Sequence, residues 1–277
     1  MKKGSDTPLF CCYLVTVCNR PTRQTHIYGS YHLKSLFNKC KKENFMKKIG
    51  ILGGAGPVGT ADIYLRIHDR CVKYSSVTRP NIIIESMPIS FANEQQALAG
   101  NINKPYFLNL LKKSSQSLEK AGAEVIILPC NTLHCLFQDL KPELSIPSLS
   151  IVESVARFLS TQNVKKVGVL ATNTTINQNL YGDEFDRVNI SVCYPPKALQ
   201  AQLDEIIFKQ VMTPNMQSDQ SKILEIESIC EQLFQQGCDY IVIACTDLPS
   251  INRSNVINAI DTHVDAIFEL ASLQEAS

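Results

Sequence analysis

No apolar run in this chain approaches the roughly 20 residues needed to cross a bilayer, so the sequence gives no sign of a membrane-embedded role. It has no long tract of Lys or Arg either, and its formal net charge is only +1 over 277 residues. Without a basic footprint a nucleic-acid partner is not expected, and the natural partner is a small molecule. Zinc spacing is incomplete as well. Cys130, His134 and Cys135 cluster, but no second Cys-x-x-Cys or His pair completes a tetrahedral set, so no metal is expected. Cysteine itself is plentiful at eleven, an odd number, and Cys71, Cys193, Cys230 and Cys238 fall inside apolar patterns. That distribution reads as reduced thiols in a reducing compartment, not as a disulfide framework. With 44% hydrophobic residues the chain can bury a real core and is long enough for two modest domains.

What the chain does have is an internal repeat. Val125-Ile126-Ile127-Leu128-Pro129-Cys130-Asn131-Thr132-Leu133-His134 is echoed 115 residues later by Tyr240-Ile241-Val242-Ile243-Ala244-Cys245-Thr246-Asp247-Leu248-Pro249. Each copy is a short β-branched run typical of a strand buried on both faces, ending on a cysteine followed by small polar residues. The match extends upstream, where Leu118–Glu124 aligns with Leu233–Asp239 and places Gly122 and Gly237 at equivalent helix C-termini. Lys48-Ile49-Gly50-Ile51-Leu52-Gly53 likewise resembles Lys166-Val167-Gly168-Val169-Leu170-Ala171 at an offset of 118. One loop insertion between two related halves accounts for the change of offset.

The expected fold is therefore α/β, with two pseudo-symmetric lobes, each a mostly parallel sheet flanked by helices, and a site in the cleft between them. Residues 46–145 form the first lobe and 146–251 the second, with a C-terminal helix in 252–277 packing back on the first. Residues 1–45 read differently: they hold four cysteines and little periodicity, and Met46-Lys47-Lys48-Ile49-Gly50 opens as a typical first strand. The expectation is a non-native or disordered extension with Met46 as the functional start. A signal peptide is the competing reading, but Asp6 and Pro8 precede the apolar stretch and no small-x-small site follows.

Two stretches invite chemistry. Gly54-x-Gly56-x-x-Gly59 satisfies a dinucleotide fingerprint, with Glu85 placed where a ribose-binding acid would sit, so an NAD-dependent oxidoreductase is one alternative. The second lobe has no such turn, however, and a nucleotide fold gives no reason for matched cysteines. A broader reading covers both turns: Gly54 in one lobe, and Thr172 and Thr175 in the other, can offer backbone or hydroxyl donors to a carboxylate. If the lobes face each other, Cys130 and Cys245 flank one bound molecule. Two acid–base groups on opposite faces of one carbon are what stereoinversion requires, one thiolate removing a proton and the other thiol supplying one. Helices after each cysteine are expected to lower the thiol pKa, with Asp247 and His134 as helpers. Asn131, Thr132 and Thr246 are candidate substrate contacts.

These residues resemble the aspartate/glutamate racemase superfamily over about residues 46–270. The resemblance rests on Gly50-Ile51-Leu52-Gly53-Gly54-Ala55-Gly56-Pro57, Pro129-Cys130-Asn131-Thr132-Leu133-His134, Val169-Leu170-Ala171-Thr172 with Tyr181 beyond, and Ala244-Cys245-Thr246-Asp247. It implies catalytic thiols at Cys130 and Cys245, no cofactor, an amino-acid substrate with aspartate or glutamate first, and a cytoplasmic homodimer. Maleate cis–trans isomerase and hydantoin racemase are the alternatives on the same scaffold. Two departures stand out: Asp247 replaces the usual Glu, and Ile89-Ser90-Phe91-Ala92-Asn93-Glu94 stands where aspartate racemases carry Asp-Arg-Thr. With that arginine gone, Lys209 or Lys197 is the candidate to hold a side-chain carboxylate.

Overall fold

The computed structural model describes residues 47–73, 79–213 and 220–272; the proposed extension over 1–45 lies outside the described residues. Two four-stranded parallel sheets carry the fold. The first contains β1 (Ile49–Gly53), β2 (Ile82–Ser86), β3 (Val125–Ile127) and β4 (Ser148–Leu149) in the order β2-β1-β3-β4. The second contains β5 (Lys166–Leu170), β6 (Ser191–Cys193), β7 (Tyr240–Ile243) and β8 (Val256–Asn258) in the equivalent order β6-β5-β7-β8.

The duplication persists in individual hydrogen bonds. The Glu124 N–H donates to the Lys48 carbonyl at 2.8 Å, and the aligned Asp239 N–H donates to the Lys166 carbonyl at 2.8 Å. The Glu124 and Asp239 carboxylates in turn accept from the Lys48 and Lys166 amides. Both lysine ammonium groups reach back to aligned carbonyls, Ala121 and Gln236. An acid two residues after each C-terminal glycine thus fixes where the central strand begins relative to its neighbour.

Helices fill the connections. In the first half these are α1 (Pro57–Lys73), α2 (Phe91–Leu98), α3 (Lys104–Lys120) and the single turn α4 (Phe137–Leu140). The second half uses α5 (Ile151–Ser160), α6 (Asn173–Asn177), α7 (Leu180–Asp186), α8 (Lys197–Met212), α9 (Gln220–Gln235) and α10 (Ala259–Ser272). The spacing of Ile63, Ile67 and Cys71 predicts a helix from Ala61; α1 starts four residues earlier because Pro57 occupies its first turn, where no amide donor is needed. Helix α2 was not expected at all. Its N-cap is Ser90, whose hydroxyl accepts from the Asn93 amide.

The expected lobe boundaries need two corrections. Strand β4 lies beyond residue 146 yet pairs with β3, so the first sheet extends to Leu149. Strand β8 falls within 252–277 and pairs with β7, so that segment is not only a helix. Each lobe then exports the helix that follows its last strand. Helix α5 leaves β4 and buries Ile151, Val155 and Leu159 with Val167 and Val169 of the second sheet. Helix α10 leaves β8 and buries Ile260, Val264 and Phe268 with Ile49 and Ile51 of the first sheet and Ile63 of α1. This reciprocal exchange, with α5 and α10 also packed on each other, ties the lobes together by apolar burial. Among the described residues no helix is long and apolar enough to cross a membrane.

Candidate active site

Cys130 and Cys245 lie two or three residues past the ends of β3 and β7, inner strands of the two sheets, and both line one cavity. Other polar lining comes from both halves: Asn131 and Thr132 from the first, Thr172, Thr246 and Asp247 from the second. The halves bond to each other here. Thr132 and Thr172 share a hydrogen bond of 2.9 Å between hydroxyls, and Thr246 Oγ1 donates to the Pro129 carbonyl at 2.9 Å.

Tyr181 on α7 donates its phenol to Asn131 Oδ1 at 2.6 Å. Burial pushes that phenol far above its ordinary pKa, so it stays a donor and Asn131 must present its Nδ2 the other way. Asn131 is 2% exposed and its Nδ2 has no hydrogen-bond partner among the described residues. A buried amide donor without a partner, in a residue lining a cavity, is a ready contact for a carboxylate oxygen.

The glycine turn does not behave as a nucleotide cradle. Gly56 has φ +79, and a Cβ there would stand 2.1 Å from Asp247 Oδ2; a Cβ on Gly59 would stand 2.4 Å from Thr246 Oγ1. The Gly59 amide, at the start of α1, donates to Asp247 Oδ1 at 3.3 Å. The anion at this helix N-terminus is therefore the chain's own carboxylate, delivered by the second lobe. Gly54 is used internally too, its amide donating to Thr60 Oγ1.

Electrostatics reverse the expected effect on the thiols. Backbone amides do act on both sulfurs, from Leu133 on Cys130 and from Asp247 and Leu248 on Cys245, and each lowers the pKa. Burial outweighs them, lifting Cys130 to about 12 and Cys245 further. Neither cysteine precedes a true α-helix: Thr132–Leu136 is a 3-10 turn, and the residues after Cys245 form only a turn. Asp247 is pushed up to about 7, mainly by burial, with the Gly59 amide opposing. It is thus a carboxylate poised to exchange a proton near neutrality.

His134 is not placed as Asp247 is. Its Nδ1 bonds the Cys130 carbonyl at 2.7 Å and its Nε2 accepts from the Ile151 amide at 3.1 Å. Burial holds its pKa down to about 4, so the ring is neutral with both nitrogens committed to backbone. It braces the turn carrying Cys130 and has no free lone pair for a thiol. Thr175 likewise supports Thr172, hydroxyl to hydroxyl at 3.1 Å, without lining the cavity. Lys209 sits on the exposed face of α8 in an ion pair with Glu205, and Lys197 is also exposed, so neither reaches the cavity.

Glu94 of α2 does line the cavity, and the sequence reading passed over it. Six apolar side chains, Ile89, Ala97, Leu98, Phe107, Leu133 and Val211, form much of the remaining wall. The available signal was local: Ser90 three residues before Asn93 is an N-cap spacing, which turns the apparent loop into a helix and directs Glu94 and Ala97 to one side of it.

The Asp/Glu/Hydantoin racemase family model matches residues 52–267, most of the chain. The chain belongs to this family. Within it, the racemase is 29% identical over 207 residues to the broad specificity amino-acid racemase RacX of Bacillus subtilis, covering 73% of this chain and 86% of that protein. An aspartate racemase homologue from Pyrococcus horikoshii superposes with a TM-score of 0.66 at 27% identity, over 82% of this chain and all of that one. The glutamate racemase of Francisella tularensis, solved with D-glutamate, shares the fold at 16% identity and a TM-score of 0.61, covering 83% of this chain and 82% of the other. As a member of a racemase family the chain is an isomerase.

Proposed function

We propose that the protein interconverts the enantiomers of an amino acid, without a cofactor, by proton transfer between Cys130 and Cys245. One observation carries the reading: the two thiols come from equivalent strand ends of a duplicated fold and line a single cavity. A substrate carboxylate contacting Asn131 Nδ2 places Cα between the two sulfurs. One sulfur, as thiolate, takes the Cα proton; the opposite thiol gives its own proton to the other face, and its sulfur is left as the thiolate. With both thiols protonated at rest, one must first lose a proton. Asp247, two residues from Cys245 and near half ionisation at neutral pH, is the group suited to receive it.

Incubation in D2O with single enantiomers tests this. Cα–H exchange seen by NMR together with loss of optical rotation, with no cofactor added, is the expected result. Absence of exchange with amino acids of every side-chain class would overturn the proposal.

A further inference from the structure

The cavity that holds the two thiols has no positively charged lining among the described residues. Among the described residues it contains two carboxylates, Glu94 and Asp247, and no Lys or Arg. No ion pair to either carboxylate is found among the described residues. Asp247 is engaged on the Gly59 amide, beside the thiols. Glu94 faces the same space from the covering helix: its charge is felt at both Cys130 and Asp247, and the Gly56 amide acts on its carboxylate.

Resting on the racemase reading, we infer that the substrate is a basic amino acid with an aliphatic stem and a terminal amine, and that Glu94 is the residue that selects it. An acidic side chain would bring a further carboxylate beside the half-buried Glu94 and the buried Asp247 with no cation among the described lining residues to offset it, and such like-charge contacts are unfavourable. A stem of three or four methylenes fits against Ile89, Ala97, Leu98, Phe107 and Val211, the apolar wall that Glu94 shares with its own helix and its neighbours.

Two further observations agree. Asn131 Nδ2, buried and without a hydrogen-bond partner among the described residues, already supplies a donor for the α-carboxylate, so the substrate's negative group has a place away from Glu94. Burial also holds the Glu94 carboxyl above its ordinary range, the direction in which an incoming ammonium is welcomed as counter-charge. A bound cation would in turn ease the ionisation of Cys130, whose thiol the Glu94 and Asp247 charges oppose.

The test compares initial Cα–H exchange rates for L-lysine, L-ornithine, L-norleucine and L-glutamate with the full chain. Lysine or ornithine is expected to exceed norleucine by at least about tenfold, a difference of roughly 1.4 kcal/mol, with glutamate slowest. In Glu94→Gln the lysine-to-norleucine ratio should fall by about tenfold, and in Glu94→Arg the glutamate-to-lysine ratio should rise. Glutamate turning over fastest in the wild-type chain, or an unchanged lysine-to-norleucine ratio in Glu94→Gln, overturns this inference while leaving the racemase reading intact. If none of the four exchanges, the inference fails; the racemase reading fails with it only when amino acids of every other side-chain class are also inert.

Discussion

The two lobes repeat each other in strand order, in the glycine before each central strand and in the thiol after it, yet their cysteines have different neighbours. Behind Cys130 stands His134, neutral, with both nitrogens bonded to backbone. Beside Cys245 stands Asp247, titrating near 7 with an oxygen against the turn of the opposite lobe. Duplication therefore preserved the scaffold and the position of the cysteine, while the groups around it diverged. In the mechanism proposed above, the symmetric scaffold supplies two faces for proton transfer and the asymmetric shell makes one face the point of entry for charge.

The comparison breaks hardest if either sulfur is dispensable. Cys130→Ser and Cys245→Ser should each lower enantiomer interconversion by about 10³-fold or more, since a hydroxyl is a far poorer acid–base group than a thiol. Chiral chromatography reads this directly. A single variant near wild-type rate would mean that the two strand ends are not partners in one reaction.

Asp247→Asn comes next, with an expected loss of about 10²-fold in kcat/KM, within the usual range for a group that accepts a proton. In the wild type kcat/KM should fall as pH drops through about 7, because the carboxylate is then protonated and cannot take up the Cys245 proton; that limb should vanish in the variant. Stability moves the other way. A carboxyl whose folded pKa lies above its ordinary 3.8 binds more protons folded than unfolded between those values, so it costs stability as pH rises toward 7. Asp247→Asn should accordingly melt higher than wild type at pH 8.

Much of this was legible in the sequence, for a definite reason. The strands are buried on both faces and the repeat is written in β-branched residues, so Ile49–Gly53, Val125–Ile127 and their partners announce themselves by composition alone. The cysteines, Asn131, Thr132, Thr172 and Asp247 follow from position after those strands, and the structure brings them to one cavity. Strands β4 and β8 escaped because neither carries the run of consecutive apolar residues that marks β3: β4 is only Ser148–Leu149 after Pro147, and β8 lies between Asn255 and Asn258. The thiol pKa went the wrong way because burial is a property of the assembled cavity and not of the motif. Glu94 was missed because α2 is short and one side of it covers the cavity, so it never shows the long apolar stripe of a core helix.

A smaller effect tests whether the lobes are coupled through the glycine turn. Gly56 and Gly237 have nearly the same φ, +79 and +84, but a Cβ on Gly237 meets nothing within 4 Å whereas one on Gly56 runs into Asp247. Gly237→Ala should cost only the strain of a left-handed alanine, about 1 kcal/mol. Gly56→Ala should cost about 3 kcal/mol in denaturant unfolding and also reduce activity, because the Asp247 carboxylate must move. Equal losses in the two variants would show that Asp247 does not rest against this turn.

The smallest effect separates His134 from Asp247 by pH. The folded pKa of His134, about 4, lies below its ordinary 6.5, so the unfolded chain takes up a proton that the folded one refuses. Its contribution is complete above pH 6.5 and is lost as pH falls toward 4. A glutamine can give one backbone bond and accept the other without titrating. Between pH 7 and pH 5 the stability of His134→Gln should improve relative to wild type by about 2 kcal/mol, the free energy of roughly one and a half pH units of withheld protonation. Its pH–rate limb near 7 should stay where it is, because Asp247 sets that limb. A shift of the limb in His134→Gln would instead put the imidazole in proton transfer, and the two lobes would then be alike in chemistry as well as in fold.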